Sequence, residues 1–244
     1  MDSQQADAQS AQGGQQVAQA TRDLSPQGVA IMTTEHYNLQ TGRAMTIADA
    51  NGRASLFLGS VSTSLVALAF VGGIARSGTS LGQAFYVFAL VLFPSLVFLG
   101  LVTFERVLQL GTEDIIYARG INRIRHLYQE VAPELQPYFI LSAHDDNMGV
   151  LGNMAMRSGW WQTFLSAAGM IAVITSVLTG AFVGLLLAAL VNLPLGAAVG
   201  VGVVAFLASV VLLQRYQWQQ WGRGTAALSV RFPSGSDDEM RRYS

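Results

Sequence analysis

Between Ser158 and Gln214 the sequence contains no Asp, Glu, Lys or Arg. A soluble fold scatters charged side chains over every surface element, so it has no use for an uncharged block of this length. Shorter uncharged stretches run from Ala54 to Ala75 and from Ser77 to Phe104. Hydrophobic residues make up 51% of the chain and charged residues 12%, about half the share usual in soluble domains. The sequence therefore predicts an all-α, polytopic helical membrane protein.

The lengths of these blocks predict four transmembrane helices. The first span is Leu56–Ala75, which at about 1.5 Å per residue reaches roughly 30 Å, the thickness of the bilayer hydrocarbon. The second is 84–104, and the short connection between the two predicts an antiparallel hairpin. The long uncharged block exceeds one crossing and is interrupted by the turn signal Asn192–Pro194. It is predicted to form a second hairpin with spans at 162–191 and 195–213.

The remaining segments are polar and complete a division into six parts. Residues 1–34 are rich in Gln, Ala, Ser and Gly and are predicted to be a disordered tail. Residues 35–54 are predicted to form an amphipathic lead-in helix that lies on the membrane face, or else a partly ordered approach to the first span. The other parts are the first hairpin (55–104), a cytoplasmic helical segment (105–157), the second hairpin (158–214) and a polar C-terminal tail (215–244).

The polar segment 105–157 begins with a helical pattern. Apolar and aromatic side chains recur in it at helical spacing, at Tyr117, Ile121, Ile124 and Tyr128. Three arginines fall elsewhere on this helix and are predicted to be exposed: Arg119, Arg123 and Arg125. Pro133 and Pro137 break the helix. A short helix is then predicted to lead through Met154 and Met156 to the third span.

The arginines predict the orientation in the membrane. All 14 basic residues are arginine, and 13 of them lie before the first span, between the second and third, or after the fourth. Only Arg76 lies at a hairpin tip. Because basic residues near helix ends stay in the cytoplasm, the bias predicts a cell-membrane protein with both termini cytoplasmic. Trp160, Trp161, Trp218 and Trp221 flank the second hairpin on the same side, where amphipathic rings anchor at the membrane interface.

The densest polar cluster is His144–Asn147. A metal site needs three or four converging ligands, and the chain offers three histidines without paired spacing and no cysteine. The cluster is therefore interpreted as a turn and a helix cap. The alternative is an enzyme at the membrane face that uses His144 and Asp145. Phosphate-binding and nucleophile motifs are absent, so no catalytic residue, cofactor or metal is predicted. A net charge of −1 gives no field that favours nucleic acid.

The first span carries a polar stripe formed by Ser60, Ser62, Thr63 and Ser64. These hydroxyls are expected to bond backbone carbonyls or a neighbouring helix. Alternatively they line the water path of a small ion or solute channel, if several copies surround an axis. No acidic, basic or histidine side chain lies within the spans, which argues against proton relays, voltage sensors and transporters of charged substrates.

Two small-residue pairs predict close helix packing in the second hairpin. Gly180 and Gly184 lie in the third span, and Gly196 and Gly200 lie in the fourth. Glycines four residues apart allow helix backbones to approach closely, within a chain or between copies. These pairs indicate close packing more strongly than they indicate oligomerisation; a homo-oligomer is a separate expectation.

The four-span layout with its arginine-rich cytoplasmic side resembles integral membrane proteins of GC-rich actinobacteria. From Glu35 to Tyr128, a polar helix, a tight hairpin and a cytoplasmic helix resemble the layout of SLATT-type membrane effectors. The function is predicted from the placement of the polar residues on one side of the membrane and from the missing catalytic motifs. The chain is predicted to be a non-enzymatic, oligomeric signalling, effector or scaffold protein. It is expected to contact the lipid bilayer and, through 105–157, a cytoplasmic protein partner. The alternative is the small channel lined by the first span.

Overall fold

A computed structural model describes residues 25–75, 79–156, 159–226 and 228–235. These residues form six α-helices and one 3-10 helix, and no strand occurs among them. The helices are α1 (Pro26–Ala75), α2 (Thr79–Val131), the 3-10 helix (Pro133–Tyr138), α3 (Asn147–Asn153), α4 (Trp161–Leu165), α5 (Ala167–Leu190) and α6 (Leu195–Ala226). Helices α1, α2, α5 and α6 are long and apolar enough to cross a membrane. The predicted all-α polytopic fold with four spans is confirmed.

The chain divides into two compact units. Within the described residues, unit 1 consists of 25–45, 113–156 and 228–235, and unit 2 consists of 46–75, 79–112 and 159–226. Unit 2 therefore contains the apolar stretches, and unit 1 contains polar segments that are far apart in the sequence.

Helix α1 begins earlier than the sequence pattern predicted. It starts at Pro26 and continues without a break to Ala75. Residues 26–34, predicted to belong to the disordered tail, are helical, while residues 1–24 lie outside the described residues. The segment 35–54 is not a separate lead-in helix, because it has no end of its own within α1.

The part of α1 in unit 1 packs against α2, and this packing explains why it is ordered. Gly120 of α2 lies so close to Leu39 that a Cβ atom on the glycine would be 3.0 Å from Leu39 Cδ1. Arg43 forms a salt bridge with Asp114, with 2.7 Å between Nε and Oδ1. Leu39 therefore has a protein partner within unit 1, whereas Ile31 and Tyr37 are exposed.

The predicted third span, 162–191, is divided by a helix break. Helix α4 ends at Leu165 and α5 begins at Ala167. Ser166 between them has an extended backbone and caps α5, because its Oγ accepts a hydrogen bond from the Gly169 N–H at 3.0 Å. The predicted span was too long because the sequence on both sides of Ser166 is uncharged, so the absence of charge gave no sign of the helix break.

The break depends on close packing and on one side chain of α6. A Cβ atom on Gly169 would lie 1.7 Å from the carbonyl oxygen of Thr163, so only glycine fits there. Gln217 donates from Nε2 to the Thr163 carbonyl at 3.2 Å and to Ser166 Oγ at 2.9 Å. Buried hydrogen bonds thus satisfy backbone groups that the break removes from the helix.

The predicted turn at 192–194 is confirmed. Asn192 has a positive φ of 53°, a conformation that asparagine tolerates better than most residues. Helix α6 begins directly afterwards and runs to Ala226, so the first part of the predicted polar tail 215–244 is helical. Residues 236–244 lie outside the described residues.

Three helices of unit 2 meet around Gly100 of α2. A Cβ atom there would lie 2.3 Å from Thr175 Oγ1 of α5 and 3.1 Å from the ring of Phe57 of α1. Phe57 is only 1% exposed. A glycine is therefore needed for α1, α2 and α5 to approach each other at this level.

The predicted cytoplasmic segment 105–157 begins inside α2, which has no break at its start and ends at Val131. Pro133 and Pro137 both lie in the 3-10 helix, as expected of residues that end an α-helix. Helix α3 ends at Asn153, before the two methionines through which it was predicted to run.

Candidate functional site

Asp145 lies at the centre of a buried polar cluster in unit 1. It is 0% exposed, and its carboxylate accepts hydrogen bonds from Arg123 Nε at 2.6 Å and from the main-chain N–H groups of Arg231 and Phe232 at 3.0 and 2.7 Å. Its own N–H donates to the Phe232 carbonyl at 3.1 Å. A buried carboxylate is tolerated only with such partners.

Asp146 has two functions in the same cluster. Its Oδ1 accepts from the Gly149 N–H at 2.8 Å and caps α3, which confirms the predicted helix cap. Its Oδ2 accepts from the main-chain N–H of Ser234 at 2.9 Å and from the Ser234 hydroxyl. The predicted turn therefore also holds a segment that is distant in the sequence.

Two arginines of α2 hold the other end of that segment. Arg119 donates from Nη1 to the Leu228 carbonyl at 3.1 Å and from Nη2 to Asn147 Oδ1 at 2.6 Å. Arg123 donates from Nη2 to the Ser229 carbonyl. Arg119 is only 3% exposed, so the prediction of an exposed arginine was wrong. Its charge can be buried because a carbonyl and an amide oxygen accept hydrogen bonds from the guanidinium.

Residues 228–235, the docked segment, have no regular secondary structure and are held mainly through their main chain. The N–H groups of Arg231, Phe232 and Ser234 all donate to the two aspartates. Between Phe232 and Ser234 lies Pro233, which has no main-chain N–H and makes no such bond. The Phe232 ring stacks on His126 with a centroid distance of 3.9 Å.

A second layer of hydrogen bonds holds the loop that carries the aspartates. Asn122 is buried; its Nδ2 donates to the His144 carbonyl at 2.7 Å, and its Oδ1 accepts from Arg125 Nη1 at 2.8 Å. Asn153 also donates to Asn122 Oδ1 and accepts from the Ser142 N–H at 2.7 Å. The cluster is therefore preorganised by α2 and α3.

The electrostatics of the cluster favour ionised aspartates. Burial alone would raise the pKa of Asp145, but the hydrogen bonds from Phe232, Arg123 and Arg231 hold this pKa below its ordinary value. Burial also opposes ionisation of Asp146, and the bonds from Ser234 and Gly149 lower its pKa in the same way. At neutral pH both carboxylates therefore act as hydrogen-bond acceptors.

The described residues contain no group of three or more His, Cys, Asp or Glu side chains that could hold a metal ion. The structure brings Asp145 and Asp146 together with arginines, amides and main-chain N–H groups. The carboxylates accept from main-chain N–H groups and the arginines donate to main-chain carbonyls, so the arrangement is suited to binding a peptide segment.

Sequence reasoning missed the α2 side of this cluster, although a signal was present. Arg119, Asn122, Arg123 and His126 follow one another at helical spacing and form a polar stripe on one face of α2. The docked segment gave no comparable signal, because its main-chain contacts leave no pattern in the side chains.

The polar stripe of α1 is only partly engaged. Ser60 donates from its hydroxyl to the Leu56 carbonyl at 2.8 Å, as expected for a hydroxyl inside a helix. Ser62 and Thr63 are exposed and Ser64 is half-buried. The hydroxyl groups of Ser62 and Thr63 are therefore on the surface of the described part of the chain.

The four glycines predicted to mediate helix packing have different environments. A Cβ atom on Gly180 would lie 2.6 Å from the Gly202 carbonyl oxygen, and one on Gly184 would lie 3.7 Å from Gly202 Cα. Gly196 and Gly200 have no described atom within 4 Å of such a position. The close contact between α5 and α6 therefore uses Gly202 rather than the predicted pair in the fourth span.

The tryptophans of unit 2 also differ. Trp160, Trp161 and Trp218 are exposed, and the first two rings lie 4.2 Å apart. Trp221 is half-buried and packs against the apolar core of unit 2. The first three retain the exposure that an interface anchor needs, whereas Trp221 also contributes to packing.

Unit 1 exposes apolar side chains a few residues before Asp145 in the sequence. Tyr138 is 79% exposed and Ile140 is 87% exposed, and Leu141 beside them is also exposed. A cavity of about 240 Å³ lies near the 3-10 helix and is lined by apolar side chains that include Met32 and Phe139. Exposed apolar side chains grouped in this way are typical of a contact surface.

Comparison with known proteins gives no relative for this arrangement. No protein-family model, curated protein or solved structure matches the chain. The geometry of unit 1 and the apolar helices of unit 2 therefore carry the functional conclusion.

Proposed function

We propose that the protein is a non-enzymatic, oligomeric signalling, effector or scaffold protein of the bacterial cell membrane. The four apolar helices contact the lipid bilayer. The arginine bias supports placing both termini and residues 105–157 in the cytoplasm. The layout resemblance to SLATT-type effectors from Glu35 to Tyr128 agrees with this proposal.

The single observation that carries the proposal is that the buried aspartates of unit 1 act as hydrogen-bond acceptors for other parts of the chain. Asp145 and Asp146 accept hydrogen bonds from Arg123, from a helix N-terminus and from the docked segment. A general base needs an accessible lone pair and a pKa near the working pH. These carboxylates have lowered pKa values and filled acceptor positions, so the cluster supports binding rather than catalysis.

The exposed apolar side chains support a protein partner for the segment 105–157. Tyr138 and Ile140 lie in a unit that is otherwise rich in polar side chains, and aromatic residues are enriched at binding hot spots. We place the partner contact on this surface. Charged pairs such as Arg43–Asp114 then contribute to the stability of unit 1 rather than to recognition.

The proposal is tested on the full chain. Light scattering coupled to size exclusion, in detergent and in lipid nanodiscs, should give a mass of more than one copy. A benzophenone amino acid in place of Ile140 should cross-link in cells to one protein of defined mass, whereas the same probe at exposed Glu130 should not. A monomer that also gives no cross-link from Ile140 would contradict the proposal.

A small channel is the second candidate, and the exposure of Ser62 and Thr63 favours it. In an oligomer these hydroxyls could face a shared water path. Liposomes that contain the purified protein should then pass small ions faster than empty vesicles. Cysteines at both positions should also react with water-soluble thiol reagents. Absence of flux together with unreactive cysteines would exclude this candidate.

A further inference from the structure

We propose that the place in unit 1 occupied by residues 228–235 is a binding site for an extended peptide of a partner protein. The docked segment is its intramolecular competitor. This inference rests on the proposed function, because it specifies the partner that unit 1 recognises. The peptide offers two successive main-chain N–H groups, an aromatic side chain on the second of these residues, then proline, then a hydroxyl residue. That is the chemistry of Arg231–Ser234.

The site is built to be occupied. Without the docked segment, Asp145 would keep the Arg123 side chain but lose both main-chain donors. The segment also covers Asp145, which is 0% exposed while the segment is in place, so its removal would open the carboxylate to water. Arg119 and Arg123 would likewise lose the carbonyls of residues 228 and 229. An occupant with the same main-chain geometry therefore stabilises unit 1, whichever chain provides it.

Recognition depends little on the sequence of the docked segment. Most of its hydrogen bonds come from main-chain N–H and C=O groups, which every peptide carries. Selectivity comes from two side-chain contacts: Phe232 on His126, and the Ser234 hydroxyl on Asp146. A peptide from another protein with an aromatic residue, proline and serine in this order reproduces both contacts.

The covalent link makes the docked segment a competitor that can be displaced. Because the segment belongs to the same chain, its effective concentration at the site exceeds that of a dilute free peptide. A free peptide with the same contacts therefore enters only when its concentration or affinity overcomes this advantage. Any change that weakens the docked segment opens the site to the partner.

The test measures peptide binding to the full chain in nanodiscs. The probe is a dye-labelled peptide with the sequence of residues 228–235, and its binding is measured by fluorescence anisotropy. A chain that ends after Ala226 should bind it at least about tenfold more tightly than the complete chain, because the competitor is gone. A complete chain with Phe232→Ala and Ser234→Ala should show an intermediate affinity, and it keeps every main-chain donor.

Two peptide variants separate main-chain from side-chain recognition. An Arg231→Ala peptide should bind as well as the parent, because only the N–H of this residue contacts Asp145. An Arg231→Pro peptide lacks that N–H and should bind at least about tenfold more weakly. Among the proteins, Asp114→Asn is the matched control, since its ion pair with Arg43 lies outside the cluster and its loss should leave the affinity unchanged.

Three outcomes would overturn the inference. The first is that the shortened chain binds no peptide although circular dichroism and the tryptophan fluorescence of unit 2 show that it is folded. The second is that the two peptide variants bind equally, and the third is that a mixture of His126→Cys and Phe232→Cys copies cross-links between chains, which would assign the site to a second copy. If peptide binding fails while Ile140 still cross-links a partner, only this inference is wrong; if both fail, the proposed function fails as well.

Discussion

Asp145 and Phe232 are joined by two hydrogen bonds that run in opposite directions. The Phe232 N–H donates to Asp145 Oδ1 at 2.7 Å, and the Asp145 N–H donates to the Phe232 carbonyl at 3.1 Å. One residue therefore pairs with its partner through both its main chain and its side chain. This double contact keeps the docked segment in one register, because a shift by one residue would break both bonds.

The substitution Asp145→Asn should release the docked segment. Arg123 is partly exposed, so the loss is that of hydrogen bonds to a charged group, about 1.5–3 kcal/mol. Amide hydrogen exchange at Arg231 and Phe232 should therefore become faster, by about 10-fold or more. Asp49→Asn is the control, because its pair with Arg53 is exposed and contributes about 0–1 kcal/mol. Unchanged protection in Asp145→Asn would refute the assigned role of this carboxylate.

Acid should release the same segment. The pKa values of Asp145 and Asp146 are lower in the folded protein than in the unfolded chain. Their contribution to stability is therefore fully present above the unfolded value of about 4 and is lost as the pH falls through the folded values. Hydrogen exchange of the segment, corrected for intrinsic rates, should be constant from pH 7 to 5 and accelerate below about pH 4. A transition near pH 6 would point to histidine instead.

Gly169→Ala should destabilise unit 2. The added Cβ atom would lie 1.7 Å from the Thr163 carbonyl, and this backbone contact cannot relax without moving the helix break. A loss of about 1–3 kcal/mol is expected, the size typical of overpacked cores. Gly196→Ala is the matched control, because no described atom lies within 4 Å of its Cβ position. Unfolding followed by tryptophan fluorescence should separate the two; equal midpoints would contradict this packing.

Thiol labelling should report the orientation of the spans. The chain has no cysteine, so single substitutions are easy to interpret. An impermeant reagent should label Ser77→Cys in intact cells, because the arginine bias places the first hairpin tip outside. Gln136→Cys should react only after the membrane is opened, and so should Ser236→Cys. Labelling of either of these in intact cells would overturn the proposed topology.

The sequence predicted the features that depend on composition and local backbone chemistry. Uncharged blocks predicted the four spanning helices, and the turn at 192–194 lies where the proline interrupts the longest block. Asp146 caps α3, as expected of an aspartate before a helix. Each of these sequence patterns involves a few neighbouring residues or one helix length, so it can be recognised without knowledge of the packing.

The features that were missed depend on distant contacts. The cap at Ser166 was hidden because its serine and glycine also fit an apolar span, and Gln217 of α6 provides the additional bonds. Arg119 was assigned to the surface because an arginine is rarely buried without partners. Its partners include the Leu228 carbonyl, 109 residues away. No local pattern reveals such a pair.

The connection between Asp145 and the docked segment sets an order on biosynthesis. Asp145 leaves the ribosome before the second hairpin is made, and Arg231 and Phe232 leave after it. The aspartate therefore remains hydrated while residues 158–226 are translated. Within one chain, the docked segment can therefore close the cluster only after residues 158–226 have been translated. A nascent chain that stalls between α5 and α6 would present an open unit 1, so the chain's own segment closes this unit only after all four apolar helices have been made.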